Sequence, residues 1–260
     1  MCLFFCAFET HPVYRIIIAA NRDEFYDRPS RPASFWPEAP GLLAGKDLQG
    51  GGTWLGITRS GRFAATTNYR DPRSHRNEAP SRGLLLTDYL LGSDAPVDYL
   101  EKVRRKGLQY NGFNLFVGST RELYYYSNRN GEVVGLTSGL YGLSNHLLDT
   151  PWPKVARGKK AFGDIVSRQV APEPEALFNV LSDRAIMEDS LLPDTGIGLD
   201  WERILSARFI TSPVYGTRSS VLLFVDRQDR VVFLERNFDS NPDVVETTRF
   251  EFTVTRDEAG

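Results

Sequence analysis

The chain has 260 residues, of which 41% are apolar and 25% charged, and its formal net charge is −2. This composition is typical of a globular protein, and the small net charge gives no electrostatic reason to expect nucleic acid or an anionic membrane as a partner. No apolar run approaches the roughly 18 residues of a membrane-spanning helix, and the N-terminus lacks a signal-peptide pattern. We therefore expect one domain spanning residues 1–260, located in the cytoplasm.

The cysteines and histidines argue against a disulfide and against a metal site. Cys2 and Cys6 are the two cysteines. On one strand their Cα atoms would lie about 13 Å apart, beyond the roughly 7 Å limit for a disulfide. The three histidines are far apart in sequence and show no metal-ligand spacing. We expect neither a metal nor a cofactor.

The first half of the chain reads as strand hairpins followed by two helices. Residues 2–8 are apolar on both faces, which is typical of a strand buried on both sides, and residues 14–20 form the second strand of this hairpin. Residues 21–32 are rich in Arg and Asp and are expected to form a loop. Residues 50–58 and 62–68 predict a second hairpin. Ser81 is expected to cap a helix that ends near Leu91, and Pro96 to lie in the first turn of a second helix.

The second half repeats this order of strands and helices. The elements predicted there are strands at 113–118, 122–127, 132–137 and 140–144, helices near 154–168 and 174–183, an unassigned segment at 186–203, and strands at 207–212, 219–225, 230–236 and 247–254. Because the strands come in hairpins, the sheets should be mainly antiparallel, with the helices outside. The prediction is an α+β fold, a four-layer α-β-β-α sandwich.

Cys2 is the first candidate for chemistry. If an aminopeptidase removes Met1, Cys2 carries a thiol and a free amine on one carbon, which is a nucleophile together with its own base. The two groups have ordinary pKa values near 8.5 and 7.7–8.0, so the amine can accept the thiol proton near neutral pH. The alternative is a small buried hydrophobic residue at a strand end, which is the interpretation we give to Cys6.

The polar run 21–24, read as Asn21-Arg22-Asp23-Glu24, ends the strand that pairs with the first. A hairpin that brings residue 2 opposite residues 18–20 would place this run beside Cys2. There an arginine can stabilise a thiolate or a substrate carboxylate, and an acid can hold the α-ammonium. The alternative is a solvated loop whose charges pair with one another.

Three further side chains stand at strand ends. Asn68 and Asn145 each follow a strand and could donate an amide N–H to a developing oxyanion, and Arg218 opens a late strand. The alternatives are turn residues for the asparagines and a surface position for the arginine. The glycines at 50–52 lack the spacing of a phosphate-binding loop, so we expect them to allow close backbone approach instead.

These motifs together resemble the NRDE family, also called the transport and Golgi organisation 2 family. They comprise the Met-Cys-Leu-Phe start, the runs 20–25, 51–56 and 67–70, and the runs 141–145 and 148–152. The resemblance extends from residue 1 to about residue 236. Three residues within these motifs, Asn21, Trp54 and Tyr69, are candidates for substrate binding.

That family is similar in turn to the N-terminal nucleophile hydrolases, above all the cysteine branch with choloylglycine hydrolase, penicillin V acylase and acid ceramidase. The resemblance implies an amidase-type site in which Cys2 is the nucleophile, and Asn68, Asn145 and Arg218 match its supporting residues. In those enzymes the second strand ends in an Arg followed three residues later by an Asp. Here that spacing separates Asn21 from Glu24, whereas Arg22 and Asp23 keep the residue types, so Arg22 with Asp23 or Glu24 is the favoured set.

The expected activity is therefore hydrolysis or acyl transfer at a carbon–nitrogen amide bond of a small molecule. The alternative is a non-enzymatic carrier on the same fold, because the family has been linked to haem handling and to lipid or acyl-CoA metabolism. The sequence does not fix the oligomeric state.

Overall fold

The structure, a computed structural model, describes residues 2–168, 170–239 and 246–255. The strands are β1 (Cys2–Phe8), β2 (Tyr14–Phe25), β3 (Ser30–Trp36), β4 (Ala39–Asp47), β5 (Leu55–Thr58), β6 (Phe63–Asn68), β7 (Phe113–Gly118), β8 (Leu123–Ser127), β9 (Val133–Gly135), β10 (Gly139–Leu143), β11 (Tyr215–Asp226), β12 (Arg230–Asn237) and β13 (Glu246–Thr253). The α-helices are α1 (Gly83–Leu91), α2 (Pro96–Lys106), α3 (Pro153–Val166), α4 (Pro174–Leu181) and α5 (Leu199–Ile204).

The strands form two antiparallel sheets. One sheet has the strand order β10-β1-β2-β11-β12-β13, and the other runs from β3 to β9 in chain order. Every neighbouring pair is antiparallel. The predicted α+β class with two antiparallel sheets is confirmed.

The first strand shows how the layers are built. Phe4 and Phe8 point into the core between the two sheets, whereas Leu3 and Phe5 point to the other side and pack with residues of α3 and α4. Helices α1 and α2 cover the outer face of the second sheet in the same way. Apolar residues on both faces of β1 are therefore the sequence signature of a strand between a helical layer and a second sheet. The predicted α-β-β-α layering is confirmed.

The predicted loop at 21–32 is wrong at both ends. Strand β2 continues to Phe25, and β3 already begins at Ser30. The charged run remains a strand because β11 pairs with it as far as Phe25, opposite Tyr215, so its backbone groups are hydrogen-bonded in spite of the polar side chains. The hairpin of β3 and β4 was not predicted.

Three other parts of the chain differ from the prediction or add to it. Residues 207–212 are not a strand, apart from an isolated bridge between Thr211 and Gly216, and the backbone N–H of Phe209 donates to Asp183 instead of to a ladder. The unassigned segment 186–203 contains most of α5. Helix α1 has Arg82, not Ser81, at its N-cap, without a capping side chain.

Candidate functional site

The pairing of β1 with β2 places Cys2 directly opposite Arg22. The expected pairing with residues 18–20 was therefore wrong by at least two positions, and the observed one brings the polar run closer to Cys2. Because side chains alternate along a strand, Cys2 follows Phe4 onto the face between the sheets, and Arg22 and Glu24 follow Ala20 onto that face. The alternation sends the side chains of residues 21 and 23 toward the helical layer.

An open cleft of about 410 Å³ lies at this end of the two sheets. Its lining is mostly polar and comes from both sheets and from the start of α1. The lining residues include Cys2, Arg22, Asp23, Glu24, Arg28, Asp47, Trp54, Thr66, Asn68 and Arg82. Five of the seven predicted catalytic residues, Cys2, Arg22, Asp23, Glu24 and Asn68, therefore line one cleft, together with the predicted substrate-binding residue Trp54.

Cys2 is partly exposed at the cleft, whereas Cys6 is buried in the core. Burial raises the pKa of the Cys2 thiol, and the Asp23 carboxylate raises it further, while Arg22 and a hydrogen bond from the Asp23 backbone N–H lower it. Burial also raises the pKa of Cys6 above its ordinary value. A thiol whose pKa is raised needs a base to take its proton when it reacts.

Arg22 is fixed from two sides. Its guanidinium lies over the ring of Trp54, 4.4 Å from the ring centroid, and Nη2 lies 3.8 Å from Oδ2 of Asp47. The side chain is only 5% exposed, and among the described residues Nη1 has no hydrogen-bond partner. A cation held this way beside Cys2 can stabilise negative charge that develops near the sulfur.

Arg28 and Asp47 complete the rim of the cleft and were not predicted. Asp47 accepts a bond from Arg28 Nε at 2.9 Å and bonds from the backbone N–H groups of Gln49 and Gly50 at 3.0 and 2.9 Å. Burial alone would raise the pKa of Asp47, but these hydrogen bonds outweigh it and lower the pKa. An aspartate shortly before a glycine run is a common turn signal. This is the one feature of the sequence that points to the Arg28–Asp47 pair.

The glycine run itself explains how α1 reaches the cleft. A Cβ on Gly52 would lie 2.3 Å from the carbonyl carbon of Gly83, so only glycine lets this loop contact the start of α1. Close backbone approach, the role expected for residues 50–52, is what the packing at Gly52 requires.

The two asparagines occupy different positions in the site. Asn68 is partly exposed in the cleft, whereas Asn145 is fully buried and donates from Nδ2 to the backbone carbonyl of Asn68 at 3.1 Å. Asn145 lies close to Cys2, because the hydroxyl of its neighbour Ser144 donates to the Cys2 carbonyl at 3.3 Å. Asn68 is therefore the amide that faces the cleft, and Asn145 is the residue that holds Asn68 in position.

Asp23 lines the cleft, but its side chain and that of Asn21 are bonded on the side of the helical layer. Nδ2 of Asn21 donates to the carbonyls of Leu181 and Arg208, and its oxygen accepts from Ser220, so this predicted substrate-binding residue is committed to holding elements together. Oδ1 of Asp23 accepts a bond from Thr217 at 2.7 Å.

A buried lysine stands near Asp23. Burial raises the pKa of Asp23, while the charge of Lys154 opposes the rise. Lys154 is 3% exposed and donates to the carbonyl of Leu205, and its burial lowers its pKa to about 8. The opposite charges of these two buried groups offset part of the cost of removing each from water.

Tyr69 and Arg218 do not line the cleft. Tyr69 stacks on His146 with ring centroids 4.9 Å apart. Arg218 donates from Nη1 to the carbonyls of Phe25, Tyr26 and Arg28 at 2.9, 3.1 and 3.2 Å. Arg218 therefore shapes the loop that presents Arg28, and does not face Cys2.

A second, more apolar groove of about 510 Å³ adjoins the cleft. Glu24 and Asn68 line both spaces, and the apolar part of the groove comes from Phe25, Pro72, Ile197, Trp201, Leu205 and Tyr215. A ligand at Cys2 could therefore extend either along polar walls or into apolar surroundings.

A family model described as Transport and Golgi organisation 2 matches residues 1–240. The chain belongs to this family. The transport and Golgi organization protein 2 homologs of Bos taurus and Homo sapiens are 41% and 40% identical to it, over 98% of this chain and 99% of each relative. The motif-based resemblance is therefore confirmed, and the Cys2 and Arg22 pair lies within the part of the chain that the family model covers.

The fold of this chain also occurs in N-terminal nucleophile hydrolases. A C2A mutant of conjugated bile acid hydrolase from Clostridium perfringens superposes with a TM-score of 0.50 over all of both chains, at 8% sequence identity. At this identity the likeness shows the fold.

No cluster of three or more His, Cys, Asp or Glu side chains suited to a metal ion occurs in the part of the chain that the structure describes. No helix within residues 2–168, 170–239 and 246–255 is both long and apolar enough to cross a membrane.

Proposed function

We propose that the protein is an N-terminal nucleophile enzyme that hydrolyses or transfers the acyl group of a small amide through Cys2, after removal of Met1. The observation that carries this proposal is the position of Cys2, partly exposed in a polar cleft with Arg22 opposite and Asn68 on the wall. A buried structural cysteine would need none of these neighbours. The hydrolase of similar fold, a bile acid hydrolase whose C2A mutant is known, also supports the proposal.

In the proposed reaction the Cys2 amine takes the thiol proton while the sulfur attacks the amide carbonyl. The S–C bond forms, and the carbonyl oxygen becomes an oxyanion that accepts from the amide N–H of Asn68, while Asn145 holds Asn68 in position. The ammonium then protonates the leaving nitrogen, the C–N bond breaks, and a thioester remains. Water or another amine attacks the thioester and restores the thiol.

The raised pKa of the Cys2 thiol fits this sequence of events. A neutral thiol needs a base within reach, and the α-amine of residue 2 is attached to the same Cα. With Met1 in place that amine is a peptide nitrogen and cannot accept a proton. Removal of Met1 is therefore the step on which the activity depends.

Intact mass and thiol labelling test the proposal. We expect the purified protein to lack Met1 and to take up one equivalent of iodoacetamide at Cys2, whereas Cys6, which is 0% exposed, stays unlabelled. The Cys2→Ala protein should lose both the labelling and the turnover of an amide panel that includes conjugated bile acids. The matched Cys6→Ser protein should keep both. Quantitative retention of Met1, with Cys2 no more reactive than Cys6, would refute the proposal.

The apolar groove beside the cleft favours a second candidate, a carrier of a small amphipathic ligand. A carrier would bind its ligand without chemical change at Cys2. A Cys2→Ser protein that keeps full biological activity in cells would favour this candidate over the enzyme.

A further inference from the structure

Three arginines, Arg22, Arg28 and Arg82, line the same cleft. Arg28 is neutralised by Asp47, to which its Nη2 lies 2.8 Å away, and it also lies 3.7 Å from Glu24. Arg82 forms no ion pair with any described residue, and the hydrogen bond from its Nη1 to the carbonyl of Gly112, at 3.1 Å, leaves the other guanidinium donors available. One cation on the wall of the cleft therefore has no carboxylate in direct contact among the described residues.

Arg22 adds an independent indication of a ligand. Its side chain is nine-tenths buried or more, it lines the cleft, and its Nη1 has no hydrogen-bond partner among the described residues. A buried guanidinium donor without a partner costs free energy unless a ligand or water satisfies it. Asp47 neutralises this charge only partly, because it lies 3.8 Å away and is also bound to Arg28.

The start of α1 reinforces the positive wall. This nine-residue helix has no side-chain cap and no acidic residue in its first turn, and Ser81, Arg82 and Gly83 line the cleft. The N–H groups of Leu84 and Leu85 already donate to the carbonyls of Ser81 and Arg82, but the partial positive charge at the start of a helix still favours a nearby anion. Burial lowers the pKa of Arg82, while the negative charge of Glu24 opposes this, and Arg82 lines the same cleft as Cys2.

We propose that Arg82 and Arg22, beside the positive start of α1, form a subsite for an anionic group, a carboxylate or a phosphate, on the molecule that reacts at Cys2. The subsite deepens the proposed function, because it assigns the substrate to the class of anionic amides. Arg82 binds the anion directly, whereas Arg28 is already paired with Asp47.

Alkylation of Cys2 with two reagents of nearly equal size tests the subsite without a known substrate. Iodoacetate carries a carboxylate and iodoacetamide is neutral, so the ratio of their rate constants, divided by the same ratio for free cysteine, reports anion recognition near the sulfur. A charge-assisted hydrogen bond contributes about 1.5–3 kcal/mol, so we expect this normalised ratio to be about tenfold or more above 1. A Cys6→Ser background removes any second thiol.

Three variants locate the effect. Arg82→Gln should bring the normalised ratio close to 1, and Arg82→Lys should keep part of the increase, because the charge remains. Arg105→Gln is the matched control, since this arginine is exposed on α2 and does not line the cleft. A wild-type ratio near 1, or an Arg82→Gln ratio equal to that of the wild type, would overturn the subsite.

A thermal-shift titration separates this inference from the proposed function. Inorganic phosphate and succinate, added at constant ionic strength, should each be compared in the wild type and in Arg82→Gln. We expect at least one anion to raise the Tm of the wild type and not that of the variant, and the stronger anion identifies the group. If Cys2 reacts with neither alkylating reagent, the proposed function fails and this titration alone decides the subsite. Equal shifts in both proteins, or none, would refute it.

Discussion

The buried ion pair between Arg70 and Glu202 gives a quantitative test of the structure beneath the site. Nη1 of Arg70 donates to Oε2 of Glu202 at 2.6 Å, and both side chains are 4% exposed. The other carboxylate oxygen, Oε1, accepts bonds from the N–H and the hydroxyl of Thr195 at 2.9 and 2.5 Å. The backbone N–H of Arg70 also donates to the carbonyl of Asn145, so the pair adjoins the candidate oxyanion residues.

The substitution Glu202→Gln keeps the shape of the side chain and removes its charge. Arg70 stays protonated, and Nε and Nη2 of its guanidinium already lack hydrogen-bond partners among the described residues. Removal of one partner from a buried pair costs about 3–5 kcal/mol, because the remaining charge stays out of water without compensation. Since a domain is stable by only about 5–15 kcal/mol, this is a large part of the total.

Urea unfolding, followed by tryptophan fluorescence, measures this loss of free energy. Asp200→Asn is the matched control, because it makes the same acid-to-amide change on the same helix at a side chain that is 91% exposed, and we expect little change there. The double variant Arg70→Met, Glu202→Gln should recover part of the loss, because it removes the unpaired charge. A loss in Glu202→Gln as small as that in Asp200→Asn would refute the reasoning and show that water reaches the pair.

Three further predictions concern the cleft and its supports. Asn145→Ala should lower the free energy of unfolding by about 1–3 kcal/mol, because a buried hydrogen bond is lost. Asn68→Ala should mainly lower the rate at which an amide acylates Cys2. An equal loss of stability in both variants would contradict the assigned roles. Gly52→Ala should destabilise the protein by about 1–3 kcal/mol in urea, since its Cβ would overlap backbone, while Gly41→Ala, whose Cβ meets nothing within 4 Å, should not. The pKa of Asp47 is lower in the folded protein than its ordinary value. The ionised Asp47 carboxylate therefore stabilises the fold above the ordinary carboxyl pKa near 4, and this stabilisation is lost as the pH falls through the pKa of Asp47 in the folded protein. The stability difference between wild type and Asp47→Asn should therefore shrink between about pH 6 and pH 3, and a constant difference would contradict the shift.

The apolar pattern of the chain predicted the layers because burial leaves a period in the sequence. Residues of β1 are apolar on both faces, and this pattern, together with the order of strands and helices, placed the strand between a helical layer and another sheet. The same reasoning failed for residues 21–25, where a charged run looks like a loop. There the backbone N–H and C=O groups are hydrogen-bonded to β1 and β11. The side chains of alternate residues lie on opposite faces of the sheet, and each face offers them polar neighbours.

The candidate site was predicted only in part, because some of its residues carry a local signal in the sequence and others do not. Cys2, Arg22 and Asn68 could be named from their residue types and from the family resemblance, because they stand at strand ends near the N-terminus. Arg82 could not, because it is one arginine among many and becomes distinctive only where α1 begins at the cleft. Arg28 and Asp47 likewise meet across a distance in sequence that no local pattern records.

By itself the sequence determined the two-sheet fold, the family and the nucleophile candidate, since each depends on local patterning or on motifs in a fixed order. Only the tertiary structure decided which of the candidate site residues face the cleft and which support it from behind. It placed Asn68 in the cleft and Asn145 behind it, sent Asn21 and Asp23 to the helical side, and used Arg218 to hold a loop. The physical reason is strand alternation combined with register, because a shift of one residue exchanges the faces, and the register depends on partners far away in the chain.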